Sequence, residues 1–358
     1  MIQNGLGNAL ALQGRRTEGQ RGAQLLAEAV ATYRQVLLVY TREQFPQDWA
    51  ITQNNLGLAL MEQAARTAGE PAPQLFAQAG MAFRQALEVF TYEQFPRQWN
   101  VARRNEAQAL QRAERYQESL TGLTEILNRS PTDVFALQML ISALNDHLFD
   151  HRRALTIIQQ WLANNPGDPN TRSMEIEVLF ASGDFASCRV KADSLLATPG
   201  LAANFRVVFL GYEAAVEMAT GNEKAGKALA NLTKEVAAQP AEFSTGWTFP
   251  GTLHSLQEHP EIPHRDRIVR LFKSLEAKDR DSITQGLQAL QAELAASPDR
   301  CHPLGRRIAT AKAGQRGGKG RKRSRSMEDR GRVVCHVRNR QRLRDPHPRS
   351  RTVGAFLP

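Results

Sequence analysis

A chain of 358 residues has room for two or three ordinary domains or for one extended array of repeats. Its net charge of +10 is unevenly placed: residues 303–358 hold 17 Lys/Arg against 3 Asp/Glu, which leaves 29 basic and 33 acidic residues elsewhere, so the high pI excludes no function class for the body and argues for none. Three cysteines (Cys188, Cys301, Cys335) make no disulfide framework, the N-terminus lacks the apolar run of a secretion signal, and no uninterrupted apolar stretch reaches the ~18 residues of a membrane span, so a cytoplasmic protein outside the membrane is expected.

Residues 1–50 and 51–100 align without a gap, with about half of the positions identical. The recurrence is plainest where Phe45, Pro46 and Trp49 return as Phe95, Pro96 and Trp99. Each unit reads as helix, loop, helix. In the second unit Leu56, Ala59, Leu60 and Ala64 recur at helical spacing, and so do Phe76, Ala79, Phe83, Ala86, Leu87 and Phe90 after the loop at Gly69–Pro73. A helix with one apolar stripe cannot bury it alone, so such pairs are expected to stack. The second helix of each unit is expected to run on to the Glu-Gln-Phe-Pro turn. Met1 aligns with Ile51, so the first unit is expected to begin inside a repeat of a longer array.

Asn55-Leu56-Gly57 in a first helix and Ala86-Leu87 late in a second resemble the tetratricopeptide repeat. In that family the glycine lets the second helix pack close. The first unit carries Leu6-Gly7 and Val36-Leu37 in the same roles, with Asn4 displaced by one. The units are longer than the family's usual repeat and are similar to those of bacterial arrays. From Val101 the period tightens to 34. Residues 101–134 place Tyr116, Ser119, Leu123, Ile126, Leu127 and Pro131 on the family's positions. Residues 135–168 place Ala154, Ile158, Trp161, Leu162 and Pro166 there, and residues 169–202 place Gly183, Cys188, Leu195 and Pro199. Proline should stop each second helix. A degenerate pair is expected in 203–241 and a linker loop in 242–263, which Gly246, Pro250, Gly251, Pro260 and Pro263 punctuate. A helical pair starting near Asp266 and near an Asp281 cap should close the body at 264–298. The basic, Gly/Ser-rich remainder, 299–358, is expected to be disordered, and its Arg-rich composition also suits a read-through past a true end. The expected fold is all-α: a right-handed α-solenoid of antiparallel helix pairs with a basic tail.

The resemblance implies a concave groove, lined by first helices, that binds a peptide or protein partner. By register its groove-facing positions are Asn54, Asn55 and Leu58, then Arg104, Asn105, Gln108 and Arg112, then Met139, Ala143 and His147. Asn and Arg there can grip a peptide backbone or carboxylate. The bland alternative is that these are ordinary solvated residues. The recurring Trp49, Trp99, Phe45 and Phe95 are expected to pack between repeats.

Other chemistry is poorly supplied. Cys301-His302 and Cys335-His336 have adjacent ligands and wrong spacing for zinc. His254, His259 and His264 do not share a helical face. Cys188 reads as core. The Gly-rich stretch before Arg321 lacks the ending of a phosphate loop. No cofactor, metal or catalytic residue is expected. The run Arg321-Lys322-Arg323-Ser324-Arg325 supplies the second functional reading, a non-specific nucleic-acid tether with few aromatics for stacking. The first is a scaffold for protein–protein interaction, without catalysis.

Overall fold

The computed structural model describes the backbone of residues 2–69 and 71–296, and side chains from Asn4 onward. These residues fall in one structural unit. The tail, with Cys301, Cys335 and the basic run at Arg321, lies outside the described residues. Among the described residues there are fifteen α-helices, one π-helical segment and no strand. None of the helices is long and apolar enough to cross a membrane.

The helices come in consecutive pairs: α1 (Ile2–Arg16) with α2 (Gly19–Val36), α3 (Pro46–Ala65) with α4 (Pro71–Ala86), and α5 (Pro96–Arg112) with α6 (Tyr116–Arg129). Next, α7 (Val134–Ser142) runs into the π-helical segment Ala143–His147 and pairs with α8 (His151–Asn164). Then α9 (Pro169–Ala181) pairs with α10 (Phe185–Leu196), and α11 (Ala203–Ala219) with α12 (Ala225–Ala237). Each helix through α12 packs on the one before it, and α1 also touches α3, as α3 touches α5. Beyond α12 the order changes. α13 (Pro250–Glu258) turns back onto α9 and the π-helical segment, α14 (Arg265–Leu275) packs on α11, and α15 (Arg280–Ala296) packs on α12.

Local chemistry explains the boundaries. Pro46, Pro96 and Pro169 sit in first turns, where no intrahelical N–H is lost. Asp133, Asp150, Asp168 and Asp184 cap α7, α8, α9 and α10 by accepting backbone N–H bonds. Arg66 follows α3 and donates to the carbonyls of Gly14, Arg15 and Thr17, which ties the end of α1 and the turn after it to α3. Gly57 sets the spacing of α3 and α4: a Cβ there would lie 2.7 Å from the Phe83 ring. Gly7 stands in the same relation to Tyr33.

Five expectations change. The segment 242–263 is not a continuous loop, because Pro250 starts α13 instead of breaking it. The helix expected at Asp266 begins at Arg265, and the last is capped by Asp279, not Asp281: its carboxylate accepts from the Ser282 backbone N–H at 2.8 Å. The second helices of the long units stop at Val36 and Ala86, and turns carry the chain to Phe45 and Phe95. The two aromatic turns are unequal. Trp99 is 6 % exposed and meets Tyr92 edge-on at 5.2 Å, whereas Trp49 is half-buried and Phe45 is exposed.

Candidate functional site

The groove positions fall on the first helices, and the structure divides them. Asn54 lines an open trough of about 240 Å³ between α3 and α5, together with Ile51, Phe90, Arg97, Gln98 and Val101. Ile51 and Val101 occupy the same place in successive units and are 44 % and 53 % exposed. Val134 and Phe135 at the start of α7 are exposed too. Arg104 lies over the Phe135 ring at 5.3 Å and is ion-paired with Asp133. Asn105 and Gln108 are half-buried on α5, and Arg112 is exposed at its end. Among the described residues neither Arg97 nor Arg112 makes an ion pair.

Other groove positions are engaged internally. Asn55 donates to Asn8 Oδ1 at 3.1 Å, and that oxygen also accepts the Tyr33 hydroxyl at 2.7 Å. Leu58 and Met139 pack against core, and the Met139 carbonyl accepts from the Gln111 amide. Ala143 is buried. His147 stacks flat on Tyr116, 3.9 Å between ring centroids.

The π-helical segment explains where His147 goes. Its Leu148 N–H reaches back five residues to the Ala143 carbonyl at 3.0 Å, so the register slips by one residue relative to an α-helix. Asn145 is thereby buried and Asp146 faces a second cavity. Two residues past its end stands Phe149, a non-glycine residue with φ +54, whose ring stacks on His254 at 3.5 Å. Such a backbone costs on the order of 1 kcal/mol and persists only where its surroundings hold it.

That second cavity, about 370 Å³, is lined by Ile141 and Asp146 from α7 and the π-helical segment, Met174 and Glu177 from α9, and Trp247 from the segment before α13. Its wall is well anchored. The Thr245 hydroxyl donates to the Leu275 carbonyl at 2.8 Å and accepts from the Trp247 N–H, and Phe249 N–H donates to Glu276. Asp146 accepts from the Ser142 hydroxyl at 2.8 Å and the Asn145 amide at 2.7 Å. The same amide lies 3.5 Å from Glu177 Oε1, and the Trp247 side chain beside Glu177 favours its charged form. Asn145 Oδ1 faces His151 Nδ1 at 2.9 Å, so that nitrogen carries a proton.

Burial drives the electrostatics. It pushes the Asp146 carboxyl up despite its hydrogen bonds. It pushes Glu177 well above the usual carboxylate range, and the neighbouring Asp146 adds to this. Burial also lowers His151, and His254 adds to that. Two acids therefore share a recess with an aromatic wall and an imidazole behind it. Cys188 is buried and its thiol is pushed above its ordinary range, which agrees with a core role. Among the described residues no three His, Cys, Asp or Glu are grouped to hold a metal ion.

Sequence reasoning missed Asp146, Glu177 and Trp247, which come from three separated segments. The available signal was Glu177 between Ile176 and Val178, a charge inside an apolar run. No family model matches this chain, and no curated protein matches it.

Proposed function

We propose that the chain is a right-handed α-solenoid of tetratricopeptide type that acts as a cytoplasmic protein-interaction scaffold without a reaction of its own. It binds an extended peptide or protein segment along the face formed by α3, α5 and α7. The observation that carries this is the trough: Ile51 and Val101, one unit apart, stand exposed beside Asn54, Gln98 and Arg97. Large apolar residues repeated at one exposed position, with amide and guanidinium donors beside them, fit a peptide that buries side chains and offers carbonyls. The Gly7–Tyr33 and Gly57–Phe83 contacts support the repeat assignment, because the same close approach recurs one unit on.

Selection of a random peptide library on the full chain tests the proposal. Selected peptides should protect α3, α5 and α7 from hydrogen exchange, and the double variant Ile51→Glu, Val101→Glu should weaken them at least ~10-fold, since each anchor buries apolar area. No selection above background, or equal binding to the folded double variant, removes the groove from consideration.

A further inference from the structure

Glu177 differs from every other buried carboxylate among the described residues. Glu106 is paired with Arg84 and Arg103, Asp133 with Arg104, Glu175 with Lys191, and Glu217 with Arg189. Glu177 is only 8 % exposed, yet no Lys or Arg reaches it or Asp146 among the described residues. Its one hydrogen-bond contact is the long one to Asn145, and the Trp247 side chain lies beside it. A buried carboxylate without a counter-ion is costly. Here it does not sit in closed core but lines an open cavity of about 370 Å³, a size common for ligand recesses. The rest of the lining suits an alkyl chain that ends in a cation. Met174, Val178 and Ile141 offer apolar walls for methylenes, Trp247 offers an aromatic surface, and Asp146 and Glu177 offer acceptors for a compact three-proton donor. Among the described residues no Lys or Arg lines the recess to compete, and the one cationic group acting on Asp146 is the His147 imidazole.

We propose that the Asp146–Glu177 cavity is a binding site for a primary alkylammonium group, the side chain of a lysine on the partner peptide. The assignment to a peptide lysine rests on the peptide-binding function proposed above; the ammonium chemistry does not. The cavity is lined from α7, the π-helical segment, α9 and the segment before α13, and α7 and α9 continue the series of first helices formed by α3 and α5.

The probe is n-butylammonium chloride, titrated into the full chain while the indole N–H signals of the four tryptophans are followed by NMR. Trp247→Phe identifies the Trp247 signal. That signal should shift saturably, because its indole lines the cavity with Glu177, while those of Trp49, Trp99 and Trp161 stay still. Glu177→Gln should weaken the response at least ~10-fold, as expected for loss of a buried charge partner. Asp146→Asn provides a second variant should the first misfold, and circular dichroism checks both. The proposal is overturned if n-butanol gives the same shift, if the response persists in both folded variants, if calcium or magnesium chloride reproduces it, or if no shift occurs. The lysine assignment has its own arm. A library-selected peptide with lysine should bind more tightly than its norleucine counterpart, and equal binding overturns that assignment. A failed library selection with an intact amine response would count against the groove and leave the ammonium site standing.

Discussion

A methyl group added to Gly57 has nowhere to go, because the Phe83 ring 2.7 Å away is itself fully buried between helices. Gly57→Ala should therefore destabilise by roughly 1–3 kcal/mol, the range for overpacking, despite the better helix propensity of alanine. Denaturant unfolding checks this. A cost near zero would mean that α3 and α4 can part freely. Glu177 makes the opposite prediction. Its raised pKa means that the native state holds a proton that the unfolded chain has released between the ordinary carboxylate range and the raised value. Fewer protons in the unfolded state make stability fall as pH rises through that window. Glu177→Gln should lessen this fall, and Asp146, which is also raised, keeps its share of it. The variant should match the wild type in acid and exceed it in stability once pH has risen through the window, seen as a higher Tm there. His151, lowered by burial, contributes in the other direction, with stability rising as pH rises through its depressed pKa. Unchanged pH profiles for the Gln variant would show that Glu177 is not the group responsible. A residue that weakens the fold while it lines a cavity is characteristic of a site maintained for binding.

At the scale of elements, α13 depends on a close approach. A Cβ on Gly251 would fall 2.5 Å from the Asn145 amide nitrogen and 2.7 Å from the Asn145 carbonyl oxygen. The Gly251 backbone N–H also favours the charged form of Asp146. Gly251→Ala should push α13 off the π-helical segment and disturb the Trp247 wall. Expected outcomes are a loss of roughly 1–3 kcal/mol and faster hydrogen exchange in 245–258. Unaltered exchange there would mean that α13 does not depend on this contact. The same region shows what the sequence could and could not convey. The glycine-to-ring contacts followed from Gly7 and Gly57, because a repeat preserves spacing and spacing preserves geometry. The short α13 was hidden by Pro250 and Gly251, which look like breakers until tertiary contact makes proline a helix start and glycine a close contact. The π-helical turn was hidden as well. Nothing in Ala143–His147 breaks helical periodicity, so an α-register pointed to His147 where the slipped register presents Asp146. Asp146, Glu177 and Trp247 meet only after non-sequential packing of α13 on α9, which no local pattern encodes.

Across the whole described unit, the pairs α1–α2 to α11–α12 follow one another along the chain, and the repeated exposed positions fall on the first helices. The proposed function depends on that alignment more than on any single side chain. The proposed groove is apolar at Ile51 and Val101, amide-bearing at Asn54 and Gln98 and cationic at Arg97, and the separate recess is acidic at Asp146 and Glu177. A partner segment with apolar residues and a lysine would offer a match to each. The most direct measurement is the affinity of a library-selected peptide for the full chain, compared with the double variant Ile51→Glu, Val101→Glu. The account predicts saturable binding to the wild type, with loss of at least ~10-fold in a variant that remains folded. Selected peptides that bind both proteins equally, and that leave the hydrogen exchange of α3, α5 and α7 unchanged, would contradict it.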